Sequence, residues 1–140
     1  MTSHALLQPM SVLALWTMLV LLLVPIARFR AGARGEVDID DFKHGESTRV
    51  PMHTRLPNRV FMNLLEVPVL FYVACLVAVQ LQHITPTLVW LAWAYVALRV
   101  LHALIYLSYN KVAHRLTAFA ISNGVVAVMW WLLLVPLWSA

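Results

Sequence analysis

Four long apolar stretches alternate with polar segments along the chain. Each stretch holds about the 20 residues that a helix needs to cross ~30 Å of hydrocarbon. Backbone polar groups find no water inside a bilayer, so stretches of this kind are expected to be helical. The pattern predicts an all-α integral membrane protein, a bundle of four transmembrane helices forming one domain over residues 1–140. The predicted spans are Ala5–Ala27, Val60–Gln80, Pro86–Tyr109 and Leu116–Ser139.

The composition supports a membrane protein. Of the 140 residues, 62% are hydrophobic and 11% are charged, and the mean hydropathy is +0.80. A soluble domain of this length lacks the interior volume to bury so much apolar surface. The first stretch is not typical of a cleaved signal peptide, because no Lys or Arg precedes it and the positive charges follow it.

Positive charge is concentrated in the polar segments on one side of the predicted membrane. Residues 28–59, between the first two spans, and Lys111 and Arg115, between the last two, hold nearly all of it. The positive-inside rule therefore predicts a multi-pass protein with loop 28–59 cytoplasmic and both termini outside, in the inner membrane if the protein is bacterial. This topology accounts for the net charge of +4 without nucleic acid as a partner.

Two of the predicted helices carry polar stripes. The polar residues are spaced i, i+3, i+7 on the third span and i, i+4, i+7 on the second, so each set lies on one helix face. Glu66 lies roughly 10 Å and Arg99 roughly 15 Å from the same membrane surface at 1.5 Å per residue. A charge in hydrocarbon needs a partner, so we expect these two residues to form an ion pair. The stripes consist of Arg99, His102 and Tyr106 on the third span and Arg59, Asn63 and Glu66 on the second.

The stripes have a structural and a functional interpretation. They could only hold helices together, and for the Glu66–Arg99 pair the sequence leaves both interpretations open. The number of polar groups favours a cleft for a small anionic ligand, because the stripes open toward a basic rim of Arg28, Arg30, Lys111 and Arg115.

Three local features lie outside these stripes. Pro68 is expected to bend the second span, and Thr85-Pro86 is typical of a helix N-terminus. Acidic residues and a histidine at 38–44 match no metal-binding spacing, so we predict a solvated loop and no metal site there.

Three motifs resemble those of a known family. "RFRA" at 28–31 is similar to an Arg-x-Arg after the first helix, and "NLLEVP" at 63–68 to an Asn-x-x-Glu followed by proline. "RVLHALIY" at 99–106 is similar to an Arg-x-x-His-x-x-x-Tyr motif. Together, and on four spans, they resemble the MAPEG family, the membrane-associated proteins in eicosanoid and glutathione metabolism. Arg115 stands where the prostaglandin E synthase branch of that family has its catalytic arginine.

The resemblance implies a homotrimer with glutathione as co-substrate, bound between protomers near the cytoplasmic face. It implies that Arg115 is catalytic and holds the glutathione sulfur as thiolate, with Arg99 bracing Glu66. A lipophilic electrophile or hydroperoxide would enter from the bilayer. The glutathione-binding residues that it implies are Arg28, Asn63, Glu66, Arg99, His102 and Tyr106.

Departures from the family pattern leave the activity open. Met62 stands where several members have an arginine, and Val67 alone separates Glu66 from proline. Leu116 stands where the prostaglandin synthase branch has a serine. The sequence does not decide whether the protein is an enzyme.

Three functions follow from these patterns. The first is a glutathione-dependent transferase or peroxidase, and the second is a non-catalytic lipid-binding or scaffold protein of the same fold. The third is a transporter or respiratory subunit with a proton path through Arg99 and Glu66. The position of Arg115 discriminates the first two, because a scaffold would leave it among lipid headgroups.

Overall fold

The computed structural model describes residues 3–138, which form five α-helices. A short 3₁₀ helix, Ile39–Phe42, lies between the first two. α2 and α3 together make one span, so the described residues contain four helical spans long and apolar enough to cross a membrane. The predicted all-α, multi-pass membrane fold is confirmed. The helices are α1 (His4–Ala33), α2 (Met52–Leu65), α3 (Pro68–Gln80), α4 (Pro86–Leu107) and α5 (Val112–Trp138).

The helices reach further into the polar segments than the hydropathy pattern predicts. α1 continues to Ala33 and α2 begins at Met52, so the connection between these α-helices covers 34–51 rather than 28–59. Apolar composition marks the hydrocarbon layer, whereas helical hydrogen bonding continues into the aqueous interface. The predicted last span ended at Ser139, which lies outside the described residues, as do both chain ends.

The second span is broken, not merely bent as predicted. α2 ends at Leu65, and Glu66 leaves the helix with φ −80° and ψ −99°. Pro68 is the first residue of α3. It has no N–H to donate back into α2, but its fixed φ suits the start of a new helix.

The core is centred on α4, which packs against α1, α2 and α5. Its buried face carries Tyr95, whose ring stacks on Phe71 of α3 with centroids 4.6 Å apart. The predicted N-terminus of α4 is confirmed, because Thr85 accepts a hydrogen bond from the Leu88 N–H at 3.3 Å. This helix therefore holds the polar stripe 99–106 in the middle of the bundle.

Candidate functional site

A cleft of about 240 Å³ opens between α2, α4 and α5. It lies at what we call the basic end of the bundle, where segment 34–51 and the turn Ser108–Lys111 connect the helices. Four of its lining residues carry polar groups, and the other three are apolar. The lining consists of Asn63, His102, Tyr106 and Arg115 with Val112, Leu116 and Phe119.

His102 and Tyr106 form the α4 side of this cleft. They are one helical turn apart and so share a face of the helix. The His102 ring is buried, with its centroid 6.0 Å from that of Tyr106 and 5.7 Å from that of Phe119 on α5. The structure therefore brings together these two predicted residues of the α4 stripe.

Arg99 is fully buried one turn deeper. Its Nη2 donates to the backbone carbonyl of Asn63 at 2.6 Å and to the Asn63 Oδ1 at 2.9 Å. The Asn63 carbonyl is among the last four of α2, which lack a partner within their own helix. Arg99 thus places a cation on the open C-terminus of α2, where the helix dipole favours positive charge.

The second bond of Arg99 fixes the side chain of Asn63. Because Oδ1 accepts from Arg99, the Nδ2 amino group of Asn63 points away from Arg99 and remains a donor. Asn63 also lines the cleft. The buried arginine therefore leaves the amino group of a cleft-lining residue as a hydrogen-bond donor.

The predicted Glu66–Arg99 ion pair is wrong for the single chain. Within residues 3–138, no carboxylate of Glu66 lies within 4.0 Å of a basic nitrogen, and Glu66 is exposed. The prediction extended one helix face through Glu66, whereas α2 ends at Leu65 and Glu66 leaves the helix and is exposed. Asn63, one turn earlier, takes the place of Glu66 as the partner of Arg99.

Arg115 lies in the first turn of α5 and lines the cleft. Its guanidinium carbon is 4.0 Å from the centre of the Tyr106 ring, a cation–π contact. Its Nη1 donates to the Oδ1 of Asn110 at 2.7 Å. The predicted catalytic arginine therefore stands beside Tyr106, and its cation is held from two sides.

Asn110 was not predicted as a site residue. It lies in the turn between α4 and α5 with φ +48°, a conformation that asparagine adopts more readily than most residues. Asparagine just after an apolar helical run is a known helix-end signal. That signal in "LSYNK" could have located the turn, but not the contact with Arg115.

Arg28 lies apart from the cleft. Its Nη2 is 3.3 Å from Glu46, and its guanidinium carbon is 4.6 Å from the centre of the Phe42 ring. Segment 34–51 folds back against the end of α1 and captures this side chain. Arg28 instead borders a second cavity of about 350 Å³ with Phe29 and Ile39.

The rest of the predicted basic rim also stays out of the cleft. Arg30 and Lys111 are exposed and do not line it. Of the four predicted rim cations, Arg115 alone lines this cleft of the described chain.

Segment 34–51 is organised by Asp41. The Asp38 N–H donates to its Oδ2 at 2.9 Å and the Ser47 hydroxyl to its Oδ1 at 2.7 Å. These two hydrogen bonds, with a smaller contribution from the charge of Arg49, hold the pKa of Asp41 below its usual value. The acidic residues of this segment thus order the loop, and residues 3–138 contain no His, Cys, Asp and Glu cluster that could hold a metal ion.

Comparison with known proteins identifies the family. The model of the MAPEG family matches residues 6–135, nearly the whole chain. No match was found among curated proteins or among solved structures. The family match agrees with the four helical spans, and its range includes all three sequence motifs. The chain belongs to the MAPEG family, the membrane proteins of eicosanoid and glutathione metabolism.

Proposed function

We propose that the protein is a glutathione-dependent transferase or peroxidase that acts on a lipophilic electrophile or hydroperoxide. The observation that carries this proposal is the position of Arg115 in the cleft, against Tyr106 and within 2.7 Å of Asn110. A headgroup anchor would extend into the interface instead. The position of this cation therefore favours catalysis over a non-catalytic scaffold role.

The chemistry of the cleft suits glutathione, which carries carboxylates, amides and a thiol. Asn63 supplies an amide donor whose direction is set by Arg99. Tyr106 and His102 supply further polar groups on the α4 side of the cleft. Leu116 and Phe119 give the opposite wall an apolar surface, which suits a lipophilic second substrate.

Arg115 has the properties of a group that stabilises a thiolate. A free thiol has a pKa near 8.5 and is mostly protonated at neutral pH. A fixed cation beside the sulfur stabilises the nucleophilic anion, and in a low-dielectric cleft its effect is larger than in water. The thiolate would then bond to an electrophilic carbon, and the adjacent atom would take up a proton or a leaving group would depart. With a hydroperoxide, it would attack the terminal oxygen and break the O–O bond. The alkoxide would take up a proton, and a second glutathione would reduce the resulting sulfenic acid to the disulfide, releasing water.

We further propose that the site is completed by a second copy of the chain in a homotrimer, with the basic end facing the cytoplasm. One chain's cleft of about 240 Å³ is smaller than the ~300–1,000 Å³ usual for small-molecule sites. Glu66 is exposed on a membrane-spanning face, where an unpaired carboxylate is costly. A neighbouring protomer would enclose Glu66 and extend the cleft, and the same packing could bring Arg28 to it.

A glutathione titration of the detergent-purified protein tests the proposed function. We expect a saturable thiolate absorbance in the ultraviolet. Arg115→Ala should abolish that absorbance and lower turnover by on the order of 10²-fold, the range for loss of one electrostatic stabiliser. Glutathione affinity should change much less, because Asn63, His102 and Tyr106 remain.

Lys111→Ala is the matched control. It removes a cation from the same turn, but Lys111 is exposed and does not line the cleft. This variant should retain the thiolate signal. Absence of glutathione binding at millimolar concentration, or full activity in Arg115→Ala, would contradict the proposed function.

A further inference from the structure

The turn between α4 and α5 is built on Asn110. α4 ends at Leu107 and α5 begins at Val112, so the chain reverses within a few residues. Asn110 adopts φ +48°, and its N–H donates to the carbonyl of Ile105 at 2.8 Å. This left-handed conformation closes the end of α4 and satisfies one of its last carbonyls.

The same residue reaches forward into α5. Its Oδ1 accepts from the Arg115 Nη1 at 2.7 Å, while the other side of the guanidinium lies on the Tyr106 ring. The backbone of Asn110 is thus fixed by α4, and its side chain transmits that fixed position to Arg115. The long arginine side chain is held between the end of one helix and a ring on the same helix.

An amide is suited to this task for an electrostatic reason. It accepts the hydrogen bond without cancelling the charge of the guanidinium, whereas a carboxylate at the same place would form an ion pair and reduce the positive potential in the cleft. No carboxylate lies within 4.0 Å of Arg115 in the described part of the chain. The cation is therefore positioned and still uncompensated.

We propose that Asn110 is a positioning residue that aims the uncompensated cation of Arg115 at the thiol of glutathione. This inference rests on the proposed function. Asn110 acts through Arg115 and does not itself contact the reacting sulfur. Its effect is expected in the pH at which bound glutathione ionises, with little effect on how tightly the thiol form of glutathione binds.

A neighbouring link across the same turn provides the control. The Tyr109 hydroxyl and the His114 Nδ1 are 3.0 Å apart, so the pairs 109–114 and 110–115 cross the turn side by side. Tyr109 and His114 line a groove between α4 and α5 that shares no lining residue with the cleft. Tyr109→Phe therefore breaks a link of the turn without releasing Arg115.

The experiment compares wild type, Asn110→Gly and Tyr109→Phe as full-length protein in detergent. Glycine accepts the left-handed backbone, so Asn110→Gly should retain the turn while removing the amide. Two quantities are measured with glutathione itself: the Kd at a pH below the midpoints of all variants, and the pH midpoint of the thiolate absorbance at saturation. The thermal midpoint of each variant shows how far the turn has been weakened.

The expected result is a pH midpoint raised by about one unit in Asn110→Gly, equivalent to a tenfold change in the ionisation constant of bound glutathione. At a pH below both midpoints, where glutathione binds as the thiol, the Kd should stay within about twofold, since Arg115 is aimed at the sulfur and not at the groups that bind the peptide. Tyr109→Phe should leave both quantities at their wild-type values.

Asn110→Asp supplies a second arm, which also serves if Asn110→Gly does not fold. Aspartate keeps the hydrogen bond and tolerates the left-handed backbone, but its charge compensates Arg115. It should raise the pH midpoint although the guanidinium stays in place. An unchanged midpoint in this variant, or in a folded Asn110→Gly, would overturn the positioning role.

Equal shifts in Asn110→Gly and Tyr109→Phe, in step with their thermal midpoints, would also overturn it, because they would reduce Asn110 to a structural part of the turn. A wild-type protein without any thiolate signal would refute the proposed function itself, and the role of Asn110 with it. The wild-type titration therefore separates the two failures.

Discussion

The hydrogen bond between the side chains of Arg99 and Asn63 gives a prediction that can be worked out in free energy. The perturbations are Arg99→Met, Asn63→Leu and the double variant. Asn63→Leu removes the bond at 2.9 Å to Oδ1 but leaves the bond at 2.6 Å to the backbone carbonyl. A double-mutant cycle therefore isolates a single side-chain contact.

The magnitude follows from two opposing contributions. Each hydrogen bond to a charged group contributes ~1.5–3 kcal/mol, so Arg99→Met loses about twice that. It also relieves the cost of a charge in the bilayer, ~2.5–3.5 kcal/mol near a helix centre. The single variant should thus lose only about 0–3 kcal/mol. The removed cost of the buried charge is the same with and without Asn63, so it cancels in the cycle. The expected coupling free energy between Arg99 and Asn63 is ~1.5–3 kcal/mol.

The assay is reversible unfolding of the detergent-solubilised protein by titration with sodium dodecyl sulfate. Arg99→Met combined with Ser11→Ala is the control cycle, because within residues 3–138 the Ser11 hydroxyl donates to the Leu7 carbonyl alone, at the end of α1 opposite the basic end. That cycle should be additive. A coupling between Arg99 and Asn63 below about 0.5 kcal/mol, the usual error of additivity, would refute the assignment of Asn63 as the partner of Arg99.

Two further predictions concern the loop and the protomer interface. The lowered pKa of Asp41 stabilises segment 34–51 at pH values above its ordinary pKa of 3.8, and this stabilisation should be lost as the pH falls below that value. Hydrogen exchange of the segment should therefore rise with acid in wild type and be high at all pH values in Asp41→Asn. A wild type whose exchange does not depend on pH would contradict this. If the site is shared between protomers, co-expression of Glu66→Gln with Arg115→Ala should restore about a quarter of the sites in randomly mixed trimers. Mixing the two purified homotrimers without subunit exchange should restore none. No recovery on co-expression would place both residues in one protomer's site.

Most of the fold and part of the site could be predicted from the sequence. Span length, composition and capping residues are local properties, so the four spans and the Thr85 cap could be predicted from the sequence. His102 and Tyr106 lie on one continuous helix, and their shared face follows from spacing alone. These residues were predicted correctly as neighbours because no break separates them.

The remainder depended on tertiary structure. The predicted shared face of residues 59–66 assumed a continuous helix, whereas the helix ends before Pro68 and Glu66 is exposed, with no ion pair to Arg99 within 4.0 Å in the described chain. Arg28 was assigned to the cleft, but Glu46 and Phe42, both from the irregular connection 34–51, capture it instead. Periodicity carries no information about where an irregular segment folds back. The contact of Asn110 with Arg115 likewise joins a turn to a helix, so sequence periodicity could not predict it.

The dependence of α2 on Arg99 has a consequence for biogenesis. When α2 and α3 enter the bilayer, α2 ends within the span, and its last carbonyls have no donor of their own. The carbonyl of Asn63 acquires one only when α4 has been inserted and docked alongside. The second span is therefore incomplete at the moment of its synthesis. Translation must continue through residue 99 before the Asn63 carbonyl can accept this hydrogen bond. The assembly of the second and third spans is therefore linked in time.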